Sequence, residues 1–415
     1  MLHRSTPRRA TGLTFALFAS VLAALTVLVG PSSGASERAL ATVTVDTLPI
    51  ANGFPLDLGI QKGFFEKRGI EIKKVTLQSG NDIVLALSNN NGDIGYIGWT
   101  PAFIANTSGI DIVTAAASEV EGTNIADNWQ NLMVKGSSSI RTPQDLAGKT
   151  IAVNALKGVG EVVIKGALKA VGVDPNSIKL VVIPFPAMRT ALANGQVDAA
   201  HMPEPFMSQA LNQDGARIVM APGPAIMPFL PNGVYVARTS WSKDNPALAR
   251  QFRLAINESL IYAQGHPNEI RALLPAAIRD IRLPVWSPIL DRKKLLKLAQ
   301  LAKEFGAISR LPDFTKLVPG AISSGVILKG DVGATTISMK LDKASLKTLA
   351  PGADTVAVSD RSSKQNFHLK GPGVDKKTGM KKAGKITWTV VFRLGTYRYY
   401  SDANPKLKGS FKVEN

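Results

Sequence analysis

Ala86-Leu87-Ser88-Asn89, leading to Gly92-Asp93-Ile94, is echoed by Ala191-Leu192-Ala193-Asn194-Gly195, leading to Val197-Asp198-Ala199. Each string reads as a helix that stops at Asn or Gly and a strand that opens with Asp, since Gly and Asn tolerate the left-handed backbone that ends helices. Two such echoes point to two similar lobes rather than one sheet. Strand and helix alternate around them. Strand patterns fall at 42–47, 70–77, 93–97 and 110–117, with helical spacing at 55–68 and 82–88. The rhythm restarts with strands at 131–134, 150–153, 179–183 and 197–201, and helices at 142–146, 161–171 and 188–194. This alternation predicts parallel sheets flanked by helices. Helical spacing returns at 245–265, 268–277 and 291–306.

At 415 residues the chain exceeds a single core. Hydrophobic residues at 45% and charged residues at 19% exclude a disordered chain and a coiled coil. Arg4, Arg8 and Arg9 precede an uncharged apolar stretch over 11–30 and a small-residue segment over 31–35, the layout of a secretory signal. Residues 1–41 are therefore expected to be a signal peptide, and the chain from 42 to be extracytoplasmic. The absence of cysteine excludes disulfides, thiolate metal sites and lipid attachment through an N-terminal cysteine. A lipoprotein is not expected. Pro, Gly and Ser interrupt the rhythm after 308, so 42–308 reads as an α/β body and 309–325 as a linker. Short runs at 335–341, 354–360, 366–369, 385–392, 396–401 and 410–413 then predict a small β sandwich or barrel over 326–415. That segment carries 17 basic and 7 acidic residues, whereas 42–325 carries 28 and 23.

The most enzyme-like string is Asn154-Ala155-Leu156-Lys157-Gly158-Val159-Gly160-Glu161, between the 150–153 strand and a helix. It lacks the third glycine of a dinucleotide fingerprint, because position 163 is Val, and no acidic residue closes the next strand. Two glycines instead let the backbone approach a ligand, with the N–H groups of the helix start aimed at it; a plain strand-to-helix turn is the alternative. Trp99-Thr100 and Glu204 also follow strand ends. Thr100 reads as a ligand hydrogen bonder with the Trp99 indole stacking on it, or the indole as a core cap. Glu204 reads as a ligand contact or as a carboxylate at a helix start. The four histidines form no metal-spaced pair, and there is neither a Gly-x-Ser-x-Gly elbow nor a Walker loop. Basic residues of the tail lie in turns with little aromatic interleaving, so no nucleic-acid partner is expected.

Five strings carry a resemblance: 63–72 (GFFEKRGIEI), 92–95 (GDIG), 145–153 (DLAGKTIAV), 191–200 (ALANGQVDAA) and Glu204-Pro205-Phe206. Over roughly 42–308 the body resembles the extracytoplasmic solute-binding proteins of the nitrate/sulfonate/taurine and Thi5-like group of ABC importers. The resemblance implies a two-lobed, periplasmic-binding-protein-like α/β body of type II-like order, closing on one small polar or anionic molecule and delivering it to a membrane permease. It implies ligand contacts from Phe54, Trp99, Thr100, the helix start at Asn154, Gly158, Val159 and Gly160, and Glu204. Sulfonate-binding relatives offer Gly-Ser at that helix start; here the pair is Gly158-Val159.

The tail resembles a plastocyanin-like cupredoxin domain through Asp360-Arg361-Ser362, 366–374 (NFHLKGPGV), Thr387-Trp388-Thr389-Val390 and Gly395-Thr396-Tyr397-Arg398-Tyr399. At the copper-ligand positions of that family stand Gln365, Ser401 and Asn404, with no later Met. Type 1 copper is therefore not expected, because thiolate and imidazole supply its affinity. His368, three residues from Gln365, is expected on the opposite side of a strand. The rival readings are an enzyme on the Thi5-like fold, for which His201 is the placed histidine, and a copper or electron-transfer protein. The reading preferred is a binding protein without cofactor, whose basic tail meets an anionic envelope surface.

Overall fold

In a computed structural model of the chain, the residues described are 39–318, 327–341, 344–349, 352–380, 383–392 and 395–413. Most of the expected signal segment, 1–38, lies outside them. The first lobe holds a sheet with strands in the order Ile70–Thr76, Ala41–Thr47, Ile94–Gly98, Gly233–Arg238 and Ile112–Ala117. The second lobe repeats the arrangement with Lys179–Val182, Thr150–Val153, Ala199–Pro203, Gln130–Val134 and Arg217–Met220.

The echoed strings are structurally equivalent. Asn90 and Gly195 both take the left-handed backbone, at φ 59° and 71°. Just after each, the amides of Asn91 and Gln196 reach back to Ala86 O and Ala191 O, both at 2.9 Å, closing the helix C-terminus. Asp93 then accepts the Thr44 amide and Asp198 the Thr150 amide, each at 2.8 Å. Each Asp thus pins the opening of its strand to the neighbouring strand.

The expected parallel sheets each carry one antiparallel strand. In each lobe three strands run parallel. The fourth, Gly233–Arg238 or Gln130–Val134, runs against both neighbours. These are the strands by which the chain arrives from the other lobe, so no crossover helix reverses them. The sequence reading contained neither Gly233–Arg238 nor Arg217–Met220. The former is buried along almost its whole length, which leaves no alternation to detect.

Helix Val159–Ala170 buries Val162, Val163, Ile164, Ala167 and Leu168. Spacings of three and four place Ile164, Ala167 and Leu168 on the face toward the lobe II core, and each large aliphatic side chain buried contributes about 1.5–3 kcal/mol. Val162 and Val163 enter the hydrophobic cluster of lobe I, alongside Trp99, Phe103 and Leu298. Leu317 and Val318 are fully buried in the same cluster. Asp313 caps the short helix Phe314–Leu317 by accepting the amides of Thr315 and Lys316. The predicted linker therefore begins too early: the body runs to Val318, and 319–326 lies outside the described residues.

The tail is all β. One five-stranded sheet runs Ala344–Ser345, Ile337–Leu341, Ile327–Val332, Gly352–Asp360, Gly384–Phe392. The other runs Thr348–Leu349, Asn404–Val413, Gly395–Ser401, His368–Gly371, Val374–Lys377. Its core, built on Phe367, Trp388, Phe392, Tyr397 and Phe411, is a cluster distinct from those of the body. The strand expected at 366–369 starts only at His368, so strand alternation does not set the side on which that residue lies.

Candidate ligand cleft and its hinge

A cavity of about 50 Å³ lies between the two α/β lobes. Lobe I contributes Leu48, Ile50, Gly80, Tyr96, Gly98 and Pro101, and lobe II contributes Gln130, Asn154, Gly158, Val159, Gly160, Phe185 and His201. Four helices begin at this wall. Gly80 and Phe185 are the first residues of Gly80–Ser88 and Phe185–Ala193, and Gly98 and Gly158 precede Trp99–Thr107 and Val159–Ala170. The first four N–H groups of a helix have no partner within it, and they carry its positive end. Among the described residues the wall holds no Lys, Arg, Asp or Glu. Its positive potential therefore comes from the helix starts rather than from charged side chains, a setting suited to an anion.

Glu161, in the first turn of Val159–Ala170, does not cancel this. Its carboxylate accepts from Lys165 Nζ and from the Lys157 amide, both at 2.7 Å. Lys157 itself is exposed and lies off the wall.

Of the residues expected to touch a ligand, Asn154, Gly158, Val159 and Gly160 are on the wall; Phe54, Trp99, Thr100 and Glu204 are not. Phe54 opens helix Phe54–Gln61 and packs against a small cluster with Ala51 and Leu274. Trp99 and Thr100 are fully buried, the indole lying 5.8 Å from the Phe103 ring. The first helical turn directs them into the lobe I core and leaves Gly98 and Pro101 facing the cleft. Glu204 is fully buried as well. Its carboxylate accepts from Ser208 Oγ at 2.7 Å, Ser208 N at 3.1 Å and Arg282 N at 3.0 Å. Burial pushes its pKa up to about 7. It fastens a helix start to the 282 loop.

His201 lies on strand Ala199–Pro203 at the cleft wall, 3% exposed. Burial lowers its pKa to about 4, so the imidazole is neutral at neutral pH.

The sequence reading missed the hinge. Glu119 and Glu121 lie on the segment crossing from lobe I to lobe II, both buried. Glu119 Oε1 accepts Asn52 Nδ2 at 2.9 Å and the Tyr96 hydroxyl at 2.6 Å. Glu121 Oε1 accepts Asn232 Nδ2 at 2.8 Å and Gln130 Nε2. The Glu121 amide donates to Leu230 O at 2.8 Å and the Asn232 amide to Glu119 O at 3.1 Å, tying outgoing and returning segments together. Desolvation raises both carboxyl pKa values, that of Glu121 to about 7. No local pattern marks these residues; Gly223 and Gly233 leave room for them, since a Cβ at either would lie under 2.5 Å from the Glu121 or Glu119 side chain.

In the tail, Ser401 Oγ donates to Gln365 Oε1 at 2.7 Å, so two of the three copper-position residues meet. Asn404 instead accepts the Lys406 amide. The His368 ring is held between Asp402 and Asp375, each at 2.7 Å.

Two lobes of matching strand order, joined by crossing segments around a cleft, define a two-lobed solute-binding fold. The chain belongs to the NMT1/THI5-like family, whose model matches residues 51–270. It is 26% identical to the taurine-binding periplasmic protein of Escherichia coli over 287 residues, 69% of this chain and 78% of that protein. It is 22% identical to the bicarbonate-binding protein CmpA of Synechococcus over 316 residues, 70% of this chain and 69% of that protein. The fold matches the alkanesulfonate-binding protein SsuA from Xanthomonas axonopodis pv. citri bound to MOPS, with a TM-score of 0.56 and 21% identity. That match covers 66% of this chain and 96% of the other. Among the described residues no helix is long and apolar enough to cross a membrane.

Proposed function

We propose that the protein is the extracytoplasmic solute-binding component of an ABC importer. It captures a small anionic molecule between two lobes and presents it to a membrane permease. The observation that carries this reading is a cleft wall without charged side chains onto which four helix N-termini converge. Such a wall stabilises negative charge without an ion pair that would slow release. The small cavity, well under the roughly 300–1,000 Å³ of a drug-sized pocket, favours a compact head group such as a sulfonate, nitrate or carboxylate. The relatives named for taurine, bicarbonate and alkanesulfonate support that class. A binding role is favoured over an enzymatic one because, among the described residues, no carboxylate stands on the wall to work with His201.

In this reading the signal peptide of the expected 1–41 segment ends before Ala41, which pairs with Ile70 in the lobe I sheet. The tail is a cupredoxin-like scaffold without copper chemistry, in which Ser401 and Gln365 bond to each other where a thiolate and an imidazole would be required. Its basic surface holds the protein to an anionic envelope surface. A thermal-shift screen of taurine, methanesulfonate, nitrate, bicarbonate and pyrimidines tests the main reading. A true ligand at 100 times its Kd adds about 2.7 kcal/mol. Stabilisation by pyrimidines alone would point to the Thi5-like alternative.

A further inference from the structure

His201 stands where the helix starts converge, and its Nε2 has no hydrogen-bond partner among the described residues. Leaving a buried polar atom unpaired is costly, and a molecule entering the cleft can supply the partner. The ring packs on the first turn of helix Val159–Ala170: a Cβ on Gly160 would lie 3.0 Å from His201 Nδ1. Glycine at that position is what lets the imidazole lie against the helix start, among its unpaired N–H groups.

We infer that His201 is the specificity-determining contact of the cleft: its imidazole pairs with one oxygen of a compact, singly charged oxyanion, whose charge is otherwise met by helix N-termini and by neutral side chains of the wall such as Asn154. This rests on the solute-binding reading above and names the head group that site takes. The single charge follows from the composition of the wall. Each helix N-terminus supplies roughly half an elementary charge. The desolvation cost of an ion grows with the square of its charge, roughly fourfold for a dianion. Attraction to these fixed dipoles only doubles for a dianion while its desolvation cost rises about fourfold, so a wall with no Lys or Arg among its described residues favours the single charge. The imidazole adds direction. A hydrogen bond to a charged acceptor contributes about 1.5–3 kcal/mol, which is on the order of 10- to 100-fold in affinity.

Isothermal titration of the full-length protein with sodium methanesulfonate and with sodium sulfate, at matched ionic strength, tests this. The wild type is expected to prefer methanesulfonate by at least about tenfold. His201→Gln keeps an amide donor and should stay within about fivefold of wild type, whereas His201→Leu should lose about 10- to 100-fold at an unchanged melting temperature. His201→Met is measured in parallel, so a folding failure of one apolar variant leaves the comparison intact. Equal affinity of the wild type and the apolar variants for methanesulfonate would overturn the role of His201 and leave the solute-binding reading standing. Sulfate bound as tightly as methanesulfonate would overturn the single charge. Failure of the wild type to bind either anion would remove the inference together with the anionic reading beneath it.

Discussion

The Cγ2 atom of Val159 stands 2.4 Å from where a Cβ on Gly98 would be, so the two lobes meet at a point with no room for a side chain. Gly98 comes from the end of a lobe I strand and Val159 from the first turn of a lobe II helix. Hinged two-lobe proteins close around a ligand by bringing such surfaces together, and the missing Cβ is what lets these two surfaces meet here.

Gly98→Ala is therefore expected to hold the lobes slightly apart. The Gly98 backbone, at φ −76° and ψ 160°, suits any L residue, so the effect is steric rather than a backbone strain. Ligand affinity should fall by about tenfold or more, since closure is what completes the contacts. The unliganded melting temperature should hardly move. Small-angle scattering with saturating ligand should show a larger radius of gyration than for the wild type; an identical closed radius would refute the steric stop.

Gly160→Ala presses on the cleft from the other side. Its new Cβ meets His201 Nδ1 at 3.0 Å and Val153 Cγ1 at 3.6 Å, so the imidazole must give way while the strand need not. Weaker binding with retained stability is the expected result, measured by calorimetry and thermal melting. Unchanged affinity would place the ligand away from this helix start.

Glu204→Ala should destabilise without touching the ligand. It strands the buried amide of Ser208 and the half-buried amide of Arg282, at about 1–3 kcal/mol for the former and less for the latter. Chemical denaturation should show the loss, and the ligand Kd of the folded fraction should stay within about twofold. A large change in Kd would return Glu204 to the cleft.

Stability should decline as pH rises from about 5 to 8. Burial raises Glu121 and Glu204 to about 7 and Asp46 to about 6. For such groups the folded chain binds more protons than the unfolded one between the ordinary carboxyl range and the raised value, so the stabilisation is present at the acid end and is lost as pH climbs. His201, lowered to about 4, opposes part of this slope below about pH 6.5, yet denaturant titrations at pH 5 and pH 8 should still differ by a few kcal/mol in the direction of the three carboxyl groups, and Glu121→Gln should flatten part of the slope. A profile rising over that window would contradict these environments.

Truncation should separate the body from the tail. The tail core is a cluster of its own, from Leu328 to Val413. A chain ending at Val318 is expected to fold and bind as the full-length protein does. A chain ending at residue 308 also loses Leu317 and Val318 from the lobe I core, and should melt lower by the equivalent of about 2–5 kcal/mol. Loss of binding in the chain ending at Val318 would mean that the tail contributes to the cleft.

The paired lobes were legible in the sequence because their signature is local. A helix end, a left-handed Asn90 or Gly195 and a strand-opening Asp93 or Asp198 span eight residues, and each lobe carries them as a contiguous string. The glycine-bearing helix start at 158–160 was legible for the same reason. Which neighbouring residues face the cleft was not, because one turn of helix sends Trp99 and Thr100 into the core and leaves Gly98 at the lobe contact. The hinge lay beyond any local pattern. Glu119 finds Asn52, 67 positions away, and Asn232 reaches Glu121 across 111 positions. Residues so far apart meet only after two sheets have formed and the chain has crossed between them twice, so tertiary packing alone decides that these carboxyl groups are buried and raised in pKa.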